Sequence, residues 1–409
     1  MKLLVLVLGV LVAVSWGYWV VATLAVRRFF RRPVRVPDVL PPVSILKPVR
    51  GLDAGARECF ESFFRQDYPR AEILFGVEDP SDEVIPVIDA LRREFPNVPA
   101  RLVVATARGP NRKACLLQVL AREARHDVLV ASDSDMQVEP GYLRQVVGTL
   151  LAPGVGLVTC PYRGDEARTF AARLEALWMG VTFLPSVVLA RALLGMPIAM
   201  GATIAVRRAD LDAAGGFASV ASHLADDYQI GARVAALGRE VAIAPCVLRS
   251  VLGDVRPIEQ WAREVRWSRC TRVSRPTGQL GYFVTFAVPL AVAFLVASGS
   301  GAAGWIALAA SLALRWATAA VIAREIGDRA SLDALPLLPF RDLVTVAVWA
   351  TSLFGRRVIW RGEAFEVGPD GLLHRLHGPP PRRVFNEPLV EPVVEPAPAP
   401  KGPERARLS

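Results

Sequence analysis

Cysteine is scarce in this 409-residue chain: five residues, Cys59, Cys115, Cys160, Cys246 and Cys270, lie far apart. That scatter supplies neither a disulfide framework nor a zinc site, and it fits reduced thiols in a cytoplasmic domain. Histidine is scarcer still, with four residues. His374 and His377 have no further ligand beside them and read as surface residues. No internal repeat is visible, and no aromatic-basic RNA motif. The formal net charge of +9 therefore does not imply nucleic acid. Its arginines cluster beside apolar segments, where anionic lipid heads supply the counter-charge.

Charge is absent from residues 3–26, while the whole chain is 52% hydrophobic. A run of about 20 apolar residues can cross the hydrocarbon core. The competing reading is a signal peptide, but the run is long for one, no small-residue cleavage site follows, and RRFFRRPVR follows as a stop-transfer cluster. Residues 1–26 are therefore read as an uncleaved anchor and 27–41 as a basic linker held on the cytoplasmic side. Two further spans are expected at 280–298 and 302–323, joined by the uncharged SGSGAAG. The stretch 335–355 is broken by Pro339, Arg341 and Asp342 and reads as re-entrant or interfacial. That leaves 356–377, with GRRVIWRG, on the cytoplasmic side. Residues 174–200 are apolar but interrupted by Pro185 and Arg191, and read as a buried or interfacial helical pair. From 378 to 409 the proline-rich tail is expected to be disordered.

Residues 42–275 read as one large α/β domain. Strand-like PVSILKP, EILFGVED, RLVVATA and DVLVASDSD alternate with helix-like ARECFESFFRQ, DEVIPVIDALRREF, RKACLLQVLAREA and GYLRQVVGTLL. Such alternation predicts a mostly parallel, Rossmann-like sheet. Ligands of such sheets collect at the carboxyl ends of the strands, and the unusual residues fall there. Asp133 and Asp135 close an apolar run. If the strand continues through them they share one face, and paired carboxylates with ligand phosphates suit Mg²⁺. The alternative is an acidic turn. Asp79 ends an earlier strand in the same way and could accept the N3–H of a uracil ring, or be a solvated turn. Lys113 opens a helix in GPNRKACLL, a position suited to a phosphate or ribose, or is a surface lysine. Asp226 and Asp227 open the helix in ADDYQIGARVAALG. They are either helix-dipole partners or, for one of them, the base for a hydroxyl nucleophile. In EQWAREVRWSRCTR, Arg263, Arg266 and Arg269 fall near one helix face beside Trp267. Arginine forks there suit diphosphate oxygens, and a basic helix lying on lipid heads is the other reading.

The order Asp79, Lys113, Asp133-Ser134-Asp135, GATIAVRRADLDAAGGF, Ala225-Asp226-Asp227-Tyr228 and Arg263-x-x-Arg266-Trp267 resembles the family 2 glycosyltransferases of GT-A fold, over roughly residues 42–272. Within them it is similar to ceramide glucosyltransferases and to bacterial enzymes that glycosylate hopanoids. The resemblance implies that Asp79 and Asp133 bind the nucleotide of a UDP-sugar, with Lys113 and Arg263 beside it. Asp135 would hold Mg²⁺ or Mn²⁺, Asp227 would be the base with Asp226 beside it, and Arg266 and Trp267 would stand at the diphosphate and acceptor entrance. It implies a lipid acceptor and a multi-pass protein of the bacterial inner membrane with its catalytic domain cytoplasmic. Animal ceramide glucosyltransferases carry a histidine in the apolar stretch that here reads VTFLPSVV, and His223 is the only nearby candidate. That departure favours the hopanoid-type branch, with UDP-N-acetylglucosamine as the expected donor. A processive polysaccharide synthase and a non-catalytic membrane scaffold are the competing functions.

Overall fold

The computed structural model describes residues 2–360 and 363–376; the expected disordered tail and His377 lie outside them. The predicted alternation of strand and helix is present. A central seven-stranded sheet runs in the order Ala100–Val104, Ala71–Val77, Val43–Pro48, Val128–Ala131, Ile204–Arg207, Val155–Thr159, Glu240–Ile243. The first four strands are parallel, Ile204–Arg207 is antiparallel to both its neighbours, and the last two are parallel to each other. Val43–Pro48 is buried at every position. Its two polar members are satisfied there, as burial requires: Ser44 donates to Glu72 Oε1 at 2.6 Å and Lys47 donates to the Asp133 carbonyl. Pro86 sits in the first turn of the helix Ile85–Glu94, where its missing N–H costs nothing. A second sheet, Met136–Gln137, Leu248–Gly253 and Tyr162–Ala167, stands at the carboxyl edge of the first.

The apolar helices gather around that edge. Three among the described residues are long and apolar enough to cross a membrane: Lys2–Phe30, Phe170–Leu194 and Ala302–Glu325. The first runs past the expected boundary at residue 26, so Arg27 and Arg28 are helical. Arg31 Nε lies 3.2 Å from Glu325 Oε1, so the carboxyl-terminal ends of the first and last of these helices meet. The segment expected as a span at 280–298 is bent: Pro276–Thr285 and Ala287–Ala297 meet at 68° and are long and apolar enough to cross a membrane only when taken together. The expected helical pair at 174–200 is one continuous helix through a π-turn at Met179–Phe183. The wider turn precedes Pro185 and accommodates its missing donor.

Residues 338–353 form the helix Leu338–Leu353, in which Arg341 and Asp342 are buried. Read in sequence as interruptions, the two charges are paired in opposite directions. Arg341 forks onto Glu264 at 2.8 and 2.7 Å. Asp342 takes Arg315 at 3.0 Å on both oxygens. The Arg315 guanidinium lies 3.7 Å from the ring centre of Trp19 and reaches Thr182 Oγ1. Four helices are thus tied through two neighbouring residues. A three-stranded antiparallel sheet, Arg357–Trp360, Glu363–Val367 and Leu373–Arg375, closes the described chain.

Truncating one half of a buried pair strands the other charge at a cost of roughly 3–5 kcal/mol, whereas replacing both halves by apolar groups is often neutral. Arg341→Met should therefore lower the unfolding temperature of the detergent-solubilised chain sharply. Arg341→Met combined with Glu264→Leu should restore most of it.

Candidate active site

The buried strand Val128–Ala131 delivers the chain to the sheet edge, and pairing resumes only at Met136–Gln137. Asp133, Ser134 and Asp135 therefore form a turn, and the expectation that both acids share one strand face is corrected. They line one cavity of about 1530 Å³ nonetheless, each fixed differently. Asp133 pairs through its carboxylate with Lys113, and its carbonyl takes the buried Lys47 ammonium. Lys47 is pressed 4.0 Å from the Phe63 ring centre, and burial lowers its pKa to about 8. Asp135 Oδ2 accepts from Ser250 Oγ at 3.0 Å, and Ser134 Oγ donates to Asp53 at 2.9 Å. Burial, then Asp133 and Asp53, push the Asp135 carboxyl above its ordinary range.

Lys113 stands in the first turn of Arg112–Glu123, whose N-cap Asn111 accepts from the Ala114 N–H. Asn111 is buried and also donates to the His223 carbonyl at 2.9 Å. One amide therefore locks this helix start to the segment that leads into Asp226 and Asp227. Neither acid caps its helix, Asp226–Ala236, through its side chain. Asp227 instead accepts from the Gly201 N–H at 2.8 Å and the Tyr228 N–H at 2.7 Å. Burial and then Asp226 raise its pKa to about 6, with Lys113 opposing them. Gly201 is where the groups converge. A Cβ on it would lie 2.8 Å from Lys113 Nζ, 3.2 Å from Asp133 Oδ2 and 3.5 Å from Asp227 Oδ2, so a side chain there would push the Lys113 ammonium from its place.

Asp79 stands apart from these groups. Its exposed carboxylate closes a local turn on Ser81, at 2.8 Å to N and 2.6 Å to Oγ, and does not line the cavity. The preceding Glu78 does, held by Arg112 at 3.1 Å. Arg112 also reaches Glu363 at 3.2 Å and so draws the carboxyl-terminal sheet to the rim.

On the helix Pro257–Ser274, Arg263, Arg266 and Trp267 line the cavity. Arg263 donates to the buried Glu175 at 2.8 Å, and the Arg266 guanidinium faces Trp360 at 5.7 Å. Arg269 is not with them: it donates to the carbonyls of Phe354 and Arg357 and anchors the carboxyl-terminal sheet. Trp267 stacks on Trp178 at 5.5 Å, which stacks on Phe183 at 5.1 Å. That aromatic wall leads into the apolar end of the same cavity, lined by Val187, Leu189, Leu193, Leu194 and Val284.

Sequence reasoning missed Asp53, Glu78, Asn111, Gly201 and Trp360. Asp53 had a signal, because it follows the carboxyl end of a central strand. Among the described residues no three His, Cys, Asp or Glu side chains form a metal site. The donor set at Asp135 fits an ion that takes one or two carboxylates and completes its shell from ligand phosphates. Its acidic neighbours carry charge that such an ion would offset.

Residues 6–373 match the family model described as Glycosyl transferase family 21. Ceramide glucosyltransferase 1 of Caenorhabditis elegans is 27% identical over 235 residues, 56% of this chain and 50% of that protein. Ceramide glucosyltransferase of Komagataella phaffii is 34% identical over 153 residues, 34% and 30% respectively. The matched region thus spans about half the length of the first relative and less of the second. Among solved structures, the mannosyltransferase PcManGT of Pyrobaculum calidifontis, in complex with GDP-Man and Mn²⁺, aligns over 86% of this chain and 99% of its own, with TM-score 0.51 and 20% identity. That likeness establishes a shared fold.

The Asp227 carboxyl should titrate near pH 6, followed by its infrared absorption against an Asp227→Asn reference. Lys113→Met should move that titration to higher pH, because the opposing cation is gone.

Proposed function

The chain belongs to glycosyl transferase family 21, and we propose that it moves a sugar from a UDP-sugar to a lipid hydroxyl, of hopanoid or ceramide type, with inversion at C1. One observation carries this reading. A single cavity joins an end walled by Asp133, Asp135, Lys113 and Asp227 to an end walled by apolar side chains of long apolar helices. A nucleotide-sugar suits the first, a lipid the second, and the reacting oxygen falls between them. The processive reading has no comparable observation behind it.

In this reading the nucleotide diphosphate lies against the Asp133–Asp135 turn. Asp135 would hold Mg²⁺ or Mn²⁺, and the ion would supply charge to offset that of the diphosphate. Glu78 replaces Asp79 as the acid nearer the nucleotide end. Lys113 and Arg266 meet leaving-group oxygens, with Arg263 steadied by Glu175 behind them. Asp227, fixed by two backbone N–H groups, takes the proton of the acceptor hydroxyl as its oxygen attacks C1 from the face opposite UDP. A base with a pKa near 6 is deprotonated at neutral pH and still strong enough to accept a proton. Trp267 and Trp178 form the acceptor entrance. The arginines that end the first helix favour a cytoplasmic sheet domain in this reading, and the membrane proposed is a bacterial inner membrane. No nucleic-acid partner is proposed.

Membranes carrying the full chain, given a panel of labelled UDP-sugars with Mn²⁺, should yield a lipid bearing one sugar by mass spectrometry. Long polymer would favour a processive synthase, and absence of transfer from every donor would overturn the reading. Asp227→Asn should cost about 10²–10⁴ in rate and leave UDP binding intact. The wild-type rate should fall as pH drops through about 6, where burial makes Asp227 protonate early.

A further inference from the structure

The apolar end of the cavity contains two tyrosine hydroxyls that the reaction above does not use, Tyr18 from the first helix and Tyr282 from the bent pair. Their hydrogen-bond accounting is decided by their partners. Ser186 Oγ donates to the Thr182 carbonyl at 2.6 Å, which uses its only proton. The 2.7 Å contact between Tyr18 and Ser186 must then be donated by Tyr18, whose oxygen keeps its lone pairs for another donor. At Tyr282 the situation is inverted. Trp178 Nε1 donates to its oxygen at 3.2 Å, and an indole N–H can only donate. The Tyr282 proton has no acceptor among the described residues. A mostly apolar chamber thus presents one committed acceptor, Tyr18, and one committed donor, Tyr282. Buried polar groups of this kind are costly unless paired.

We propose that Tyr18 and Tyr282 are specificity-determining residues that read a second polar group on the lipid acceptor, apart from the hydroxyl that receives the sugar. The group must both donate and accept, which selects a secondary amide or a hydroxyl over an ester, an ether or a bare hydrocarbon. This rests on the lipid-acceptor reading above and adds what the acceptor must carry. It also gives the first helix a role in substrate choice beyond anchoring. Neither tyrosine touches the Asp227 end, so both act on selection and not on the proton transfer.

The test uses the full chain in detergent with three probes of equal chain length: an N-acyl amino alcohol, its N-methyl analogue and a plain long-chain alcohol. Binding is read from the fluorescence of the cavity tryptophans, and transfer from sugar incorporation. Wild type should favour the N–H amide over the N-methyl amide about five- to tenfold, the worth of one buried hydrogen bond. Tyr18→Phe should erase that preference. Tyr282→Phe should keep it while weakening both amides against the plain alcohol. A vicinal diol of the same length should behave as the N–H amide does if a hydroxyl is also read. Equal binding of all three probes by wild type, or an unchanged amide to N-methyl ratio in Tyr18→Phe, would overturn the assignment. Absence of transfer with the binding ratios intact would instead sink the transferase reading and leave the tyrosine assignment standing.

Discussion

The cavity keeps its shape because Arg341 and Asp342, neighbours on one turn of helix, pull on different helices at once. Through Glu264 the first holds the helix that carries Arg263, Arg266 and Trp267. Through Arg315 the second holds the helix Ala302–Glu325 and, by the guanidinium over its ring, Trp19 of the first helix. A guanidinium–carboxylate fork fixes two planes against each other as apolar packing alone does not. Charges at this depth survive only when paired and turned inward. The polar and apolar ends of the cavity are therefore parts of one clamped body.

At the polar end, negative charge is gathered faster than local cations offset it. Asp53, Asp133, Asp135, Asp226 and Asp227 meet Lys113 and, behind the wall, Lys47. Burial and mutual repulsion raise two of these acids together. The consequence is a cradle tuned to receive cationic charge with its ligand and a carboxylate at Asp227 poised near neutrality. Gly201 lets the opposing elements approach closely enough for this. It lies just ahead of the antiparallel strand Ile204–Arg207 that interrupts the parallel sheet.

Much of this was legible in the residues. The alternation of apolar strands and amphipathic helices carries its own period, so the mostly parallel sheet could be read directly, and with it the edge where chemistry collects. What failed did so for local reasons. Asp79 was singled out because it ends a strand-like run, and a turn there re-aims its side chain onto Ser81. Continuing the strand through a turn likewise put Asp133 and Asp135 on a common strand face. Arg341 and Asp342 looked like interruptions because sequence shows charges but not their partners, which lie 77 and 27 residues away. The carboxyl-terminal sheet was hidden because its strands are short and flanked by arginines, and Arg269 was misread for want of that sheet. Pro185 suggested a break because nothing in a sequence announces a π-turn.

The first helix is made early and completed late. Trp19 Nε1 donates to the carbonyl of Thr285, 266 residues later, and Trp16 to Ser311, 295 residues later. At ribosomal speeds of about 5–20 residues per second, such a gap lasts on the order of tens of seconds. During that interval the helix sits in lipid with its polar edges unmatched while the sheet domain forms behind it. Biogenesis thus includes a docking event between segments made far apart in time, and the apolar end of the cavity comes into existence only when that junction closes.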